Sequence, residues 1–256
     1  MWRNIRILVL LLILLFVALN TYFDRVYSTD WNSPLRVTLY PINGDGSAVT
    51  ERFISKLAPD RAQALEEFFN EEAGFRDLPL QRPIQFKSAP QLRDVPPPID
   101  RDANILSTLW WSLRMRYWAW QTPDGPGVAP DIKLFIVYHD PALTPTLAHS
   151  LGMQKGLYGV VNVFAASSMM GSNDVITAHE LLHTLGATDK YDLRTSQPIH
   201  PIGYAEPSKE PLLPQTHAEL MGGRIPLTSS ESVTPESLNQ VVVGKLTALE
   251  IGWLKD

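Results

Sequence analysis

The chain has 256 residues, 45% of them hydrophobic and 19% charged, with a net charge of -5. That length and balance suit one packed domain plus a tail, and the interspersed charges form no basic stripe, which argues against a nucleic-acid partner. There are no cysteines, so disulfides and thiolate metal sites are excluded, and a transition-metal site must use histidines and carboxylates.

The N-terminal stretch MWRNIRILVLLLILLFVALNTYFDR places Arg3 and Arg6 ahead of an apolar run from Ile7 to Leu19, with Tyr22 and Phe23 behind it. The strict run falls short of the roughly 20 residues a span needs, whereas Ile5 to Phe23 is long enough. Residues 1–25 are therefore expected to be a signal anchor, with a cleaved signal peptide as the alternative; ALNTYF is a poor small-x-small cleavage site. The arginines would stay in the cytoplasm, leaving everything after about residue 25 outside it. The expected protein is single-pass in the plasma (inner) membrane with an extracytoplasmic domain, or is secreted if the segment is cleaved. Residues 26–33 read as a linker.

LRVTLYPI predicts a strand in which Leu35, Val37 and Leu39 alternate. Residues 47–75 read as helix, interrupted at Pro59. RPIQFKSA predicts a second strand, and QLRDVPPPIDRD a proline-rich loop. ANILSTLWWSLRMRYWAWQ predicts a helix with Leu106, Leu109, Leu113 and Tyr117 near helical spacing; Trp110, Trp111, Trp118 and Trp120 are expected to pack in the core. IKLFIVYHD is apolar enough for a central strand. KGLYGVVNVFAA is another strand, with Gly156 and Gly159 marking a bulge or edge. SNDVITAHELLHTLG follows as a helix, capped by Ser172 or Asn173 and stopped by Gly186. Residues 198–214 hold five prolines and read as irregular. TPESLNQVVVGKLTALEIGWL is expected to close the chain as a helix, with Thr234 as its cap and Pro235 in its first position. The pattern is one α/β domain over residues 34–256, without internal repeats.

The stretch TAHELLHTLGATDKYD, residues 177–192, carries the chemistry. On a helix His179 and His183 share one face and aim two imidazoles at one ion. Glu180, beside the first of them, is turned aside and can reach a metal-bound water rather than the metal. A bound zinc would lower the pKa of that water, and Glu180 would take its proton as the water attacks a carbonyl. Gly186 permits the left-handed turn that brings the chain back, which makes Asp189 the natural third ligand. Asp192 is a rival for that place. Glu206, Glu210 and Glu219 are weaker candidates, and His217 reads as a supporting or surface residue. His139, His149 and His200 lack ligand spacing and read as structural or exposed.

At these residues the chain resembles the metzincin metalloproteases, whose signature H-E-x-x-H-x-x-G-x-x-H is matched with Asp189 in place of the last histidine, as in snapalysin-like enzymes. The resemblance implies an α+β zincin-type fold: a mixed twisted sheet, an active-site helix and a C-terminal helix. It implies one catalytic Zn2+, a protein or peptide substrate and Glu180 as general base. It also implies a methionine turn beneath the metal, for which HAELMGGRIP offers Met221. Many members carry a tyrosine two positions beyond the methionine, where Gly223 stands here, so Tyr191 and Tyr204 are the candidates for a transition-state hydroxyl. GLYGVVNVF would be the edge strand above the cleft, and residues 198–214 part of its lower wall. The resulting expectation is a zinc endopeptidase acting outside the cytoplasm. Alternatives are a zinc hydrolase of a non-peptide amide or ester, or a non-catalytic membrane-tethered zinc-binding module. The sequence does not speak to oligomeric state.

Overall fold

The computed structural model describes residues 2–76, 78–98, 104–125 and 127–255. Its centre is a five-stranded mixed sheet of β1 (Leu35–Asn43), β2 (Ile84–Ser88), β3 (Ile132–His139), β4 (Leu151–Met153) and β5 (Tyr158–Phe164), in the order β2-β1-β3-β5-β4. The first three and β5 run parallel, and β4 is antiparallel to β5. This agrees with the expected mixed α/β architecture. The glycine-containing strand expected at the edge is paired on both sides. The edge belongs to β4, three residues long and too short to announce itself by alternation.

The helices are α1 (Trp2–Thr29), α2 (Ala48–Ile54), α3 (Gln63–Gly74), α4 (Ile105–Gln121), α5 (Met170–Thr184) and α6 (Lys245–Glu250). Both sheet faces are covered, which explains why the central strands are apolar at nearly every position. On one face Ile132, Leu134, Ile136 and Tyr138 of β3 pack with residues of α3, α5 and α6. On the other, Phe135 and Val137 meet Met115 and Ala119 of α4. Trp118 stands edge-on to Phe135 at 4.6 Å between ring centroids. Only half of the tryptophan expectation survives here. Trp111 and Trp118 pack against the sheet, while Trp110 and Trp120 lie on the outer face, 64% and 77% exposed.

The long C-terminal helix expected from Pro235 onward is broken up. Two short ladders occur in this region, β6 (Ala218–Glu219) with β9 (Val241–Val242) and β7 (Ile225–Pro226) with β8 (Ser232–Val233). A 3-10 turn at Leu238–Gln240 leads into β9, and only Lys245–Glu250 is α-helical. The β-branched run Val241–Val243 favours the strand. Gly244 then passes so near Glu219 that an added Cβ would stand 2.7 Å from its Cγ. The expected cap of α5 is also displaced. The helix starts at Met170, and the Asn173 side chain instead donates to the Phe164 carbonyl at 2.9 Å.

α1 exposes Leu8, Leu10, Leu11, Leu12 and Leu15. Among the described residues no helix is long and apolar enough to cross a membrane, so the fold alone gives the expected N-terminal span no support. The side chains of Arg3, Tyr22 and Phe23, on which that expectation drew, lie outside the described ones. The expected linker is docked to the domain rather than free. Trp31 is buried, donates its indole N–H to the Ile251 carbonyl at 2.8 Å, and packs edge-on to Trp253.

Candidate metal centre

β5 feeds through a 3-10 turn at Ser167–Met169 into α5, which carries His179, Glu180 and His183. The helix ends as expected. Gly186 takes φ 100°, its N–H donates to the His183 carbonyl and the Ala187 N–H donates to the Leu182 carbonyl. This closure turns the Ala187 carbonyl back toward the helix, where it accepts from His183 Nδ1 at 2.8 Å. His179 Nδ1 donates likewise to the Leu220 carbonyl at 2.9 Å. A carbonyl only accepts, so both Nδ1 atoms carry the proton and, in the neutral rings, both Nε2 atoms present lone pairs.

Those Nε2 atoms are 3.0 Å apart, and Asp189 Oδ1 stands 3.2 Å from each. Three acceptors thus meet at one point with no proton between them, which is repulsive unless a cation joins them. Four donors set tetrahedrally about zinc at roughly 2.0–2.1 Å lie about 3.3 Å from one another. The observed triangle is close to one face of such a tetrahedron. Among the described residues this trio alone groups in this way, and its all-nitrogen-and-oxygen donor set fits zinc. His179, His183 and Asp189 are the residues that would hold the ion.

Electrostatics point the same way. Burial works to raise the Asp189 carboxyl, but the facing His179 and His183 rings, in their charged forms, outweigh that and hold it well below the usual carboxylate range. Burial works to lower His179, and its carboxylate neighbours Asp189 and Glu180 reverse the direction and raise it. The surroundings of His179 therefore favour positive charge, whether a proton or a metal.

Glu180 is buried, and burial pushes its carboxyl up against the opposing pull of the two histidines and the Gly152 N–H. Its Oε2 is buried without a hydrogen-bond partner, the condition of a group awaiting water or substrate. β4 crosses directly over this part of α5. A Cβ on Gly152 would collide with the Glu180 carbonyl and the His183 Cβ, so only glycine lets the edge strand approach the base.

Glu180 and His179 line a cavity of about 430 Å3 together with Tyr191, His149, Asn162 and Arg224. Burial, then the charges of Asp189 and Glu180, push the Tyr191 hydroxyl up to about 12, and its ring lies 6.4 Å from that of His179. Tyr204 is not in the lining. Its backbone bridges to Ala218 and its ring packs on His200. Of the two tyrosines, the structure brings only Tyr191 to the site.

Met221 is fully buried in the 3-10 turn Leu220–Gly222, which ends at Gly223 with φ 72°. Through the Leu220 carbonyl this turn holds His179, and the Met221 carbonyl accepts from the Lys190 N–H at 2.9 Å. The turn therefore braces both the helix and the return loop. Asp192 is otherwise engaged, its Oδ1 accepting from the Arg194 and Thr195 backbone N–H groups. Glu219 accepts from Gly222, Gly244 and Thr247, and Glu206 from Thr216. Glu210 is exposed. None of these carboxylates joins the trio. His217 borders a different cavity, and the segment 198–214 does not line the one beside Glu180.

Sequence reasoning missed what steadies Asp189. Lys190 is buried, and its Nζ donates to Glu250 of α6 at 2.7 Å and to the Thr188 carbonyl at 2.8 Å. Glu250 also accepts from the Thr188 N–H and hydroxyl. Both neighbours of Asp189 are thus pinned to the last helix. It also missed Asn162, which reaches the His149 carbonyl and His139 Nε2 and so ties two of the histidines read as incidental to the cavity rim. A lysine beside a ligand and a glutamate 60 positions later give no local signal.

No protein-family model matches the chain, and comparison with curated proteins finds no relative, so the reading of the site rests on its own geometry.

Proposed function

We propose that the chain is a metzincin-like, zinc-dependent endopeptidase acting on protein or peptide substrates outside the cytoplasm. One observation carries the reading. Three acceptor atoms, from His179, His183 and Asp189, converge at 3.0–3.2 Å, and His179 shares a cavity lining with Glu180, whose Oε2 is buried without a hydrogen-bond partner. A purely structural zinc needs no such base and normally has four protein ligands; the trio has three.

When bound, zinc would polarise the scissile carbonyl and acidify the attacking water. Glu180 takes the proton of that water and returns it to the leaving amine nitrogen. Its burial suits the first half of the task, since it makes Glu180 a stronger base than an exposed glutamate. The Tyr191 hydroxyl donates to the carbonyl oxygen as negative charge develops there. The outer edge of β4 aligns an extended substrate by main-chain hydrogen bonds, and the Gly152 N–H couples that edge to the base.

α1 is the membrane anchor in this proposal, supported by its exposed leucines and by the absence of acidic residues between Ile5 and Phe23. It holds the catalytic domain on the far side of the membrane from Arg3 and Arg6. The test is digestion of a peptide library by the full chain. Endoproteolytic products that vanish with a chelator and return with one equivalent of zinc are expected. Turnover of a non-peptide ester or amide with intact peptides would replace the reading with that of another zinc hydrolase.

A further inference from the structure

α4 is apolar on both sides, and the described residues cover only one of them. Met115 and Ala119 are buried against the sheet, with Trp111 and Trp118 beside them. The opposite side exposes Leu106, Leu109, Trp110, Leu113, Tyr117 and Trp120, each by more than half. At 100° per residue these six fall within an arc of about 100°. They form one stripe along the helix, with the Tyr117 and Trp120 rings 6.0 Å apart at one end. Soluble surfaces rarely leave so continuous an apolar patch uncovered.

We propose that this stripe lies in the interfacial layer of a lipid bilayer, so that the domain rests on the membrane through α4. Three features select a bilayer as the occupant. The stripe combines leucines with tryptophan and tyrosine, side chains whose apolar bodies and polar tips suit the headgroup boundary. Arg114, exposed, and Arg116, which also donates to the Lys155 carbonyl at 3.1 Å, border it on opposite sides, about 80° from its centre, and the helix has no aspartate or glutamate. That arrangement lets two cations reach anionic headgroups while the stripe is immersed. Finally, α4 ends where α1 meets the domain. Lys133, at the start of β3, donates to the Ala119 and Thr122 carbonyls, and Tyr27 and Ser28 of α1 border the same end of the sheet beside Leu35 and Asp131. A chain held by α1 therefore has α4 within reach of the same surface. The metal centre is on α5, across the sheet, so the domain would sit with its cleft turned away from the lipid.

The chain has no cysteine, so a single nitroxide label can be placed at will. The full chain carrying Leu113→Cys, or Ser229→Cys as a remote control, is reconstituted in vesicles of phosphatidylcholine and phosphatidylglycerol. Collision of the label with oxygen and with a water-soluble nickel chelate is then compared. At position 113 oxygen is expected to be preferred several-fold over the chelate, with the reverse at 229. Arg114→Gln with Arg116→Gln should weaken the preference at 113. Protein that floats with the vesicles while position 113 meets the chelate as freely as 229 would overturn the proposal and leave the α1 anchor standing. Dipolar coupling between labels at 113 would overturn it in favour of a second copy of the chain. Protein that fails to float would overturn both it and the anchor.

Discussion

The Lys190 Nζ and the Glu250 Oε2 meet at 2.7 Å, with the lysine side chain 1% exposed. This pair joins the loop that carries Asp189 to the last helix of the chain. Replacing Glu250 by Gln would leave the Lys190 charge buried with a weaker partner. We expect a loss of about 3 kcal/mol, the lower end of the range for breaking a buried pair. Chemical denaturation of the variant checks the stability. Zinc titration checks the second expectation, a weaker affinity with unchanged stoichiometry, because the third ligand is less firmly held.

Tyr191→Phe removes the cavity hydroxyl, which also interacts with Asp189, while keeping all three proposed ligands. Loss of one donor to a developing oxyanion costs about 100-fold in kcat. Steady-state kinetics should show that fall with KM and zinc content nearly constant. Tyr204→Phe, away from the cavity, should leave kcat unchanged. Equal effects of the two variants would remove Tyr191 from the mechanism.

Gly152→Ala places a methyl against the Glu180 carbonyl and the His183 Cβ. Neither backbone nor ligand can yield cheaply, so a destabilisation of about 1–3 kcal/mol is expected. Activity should fall further than stability, since the displaced strand carries the N–H that holds Glu180. Thermal unfolding and peptide cleavage measured on the same preparation separate the two.

Arg36 and Asp131 tie the starts of β1 and β3 through two side-chain hydrogen bonds of 2.9 and 2.8 Å. Burial opposes ionisation of Asp131, but the bonds from Arg36 outweigh it and lower its pKa. A carboxylate lowered on folding adds stability above its ordinary pKa of 3.8, and loses it as pH falls through the lower folded value. Asp131→Asn should therefore cost about 1 kcal/mol at pH 7, allowing for solvent screening of this half-exposed pair. The difference from wild type should shrink below pH 3.8. Urea unfolding across pH 2–7 follows it.

Much of the candidate site was legible because it is contiguous. His179, Glu180 and His183 are related by helical spacing, and Gly186 marks where the chain must turn toward Asp189. Tyr191 and Tyr204 were indistinguishable in sequence, since only the packing of the return loop decides which hydroxyl reaches the cavity. The parallel strands β1, β3 and β5 were legible from their apolar runs. β4 was not, because three residues show no period, and the strand next to it was mistaken for the edge. The Val241–Val243 run was absorbed into a helix that the chain does not make, for its strand conformation depends on a partner at Ala218–Glu219. Trp110 and Trp120 of α4 depart from the expected core packing for a related reason. An apolar residue signals a wish for cover, and the sequence does not say whether protein or something else supplies it.

The most direct test of the account is Glu180→Gln, a near-isosteric change that removes the base and spares all three proposed ligands. Zinc content and peptide cleavage are measured on one preparation beside wild type. The account predicts one zinc per chain in both proteins and a loss of cleavage of at least about 100-fold in the variant. Cleavage at the wild-type rate by a zinc-loaded Glu180→Gln protein would contradict it.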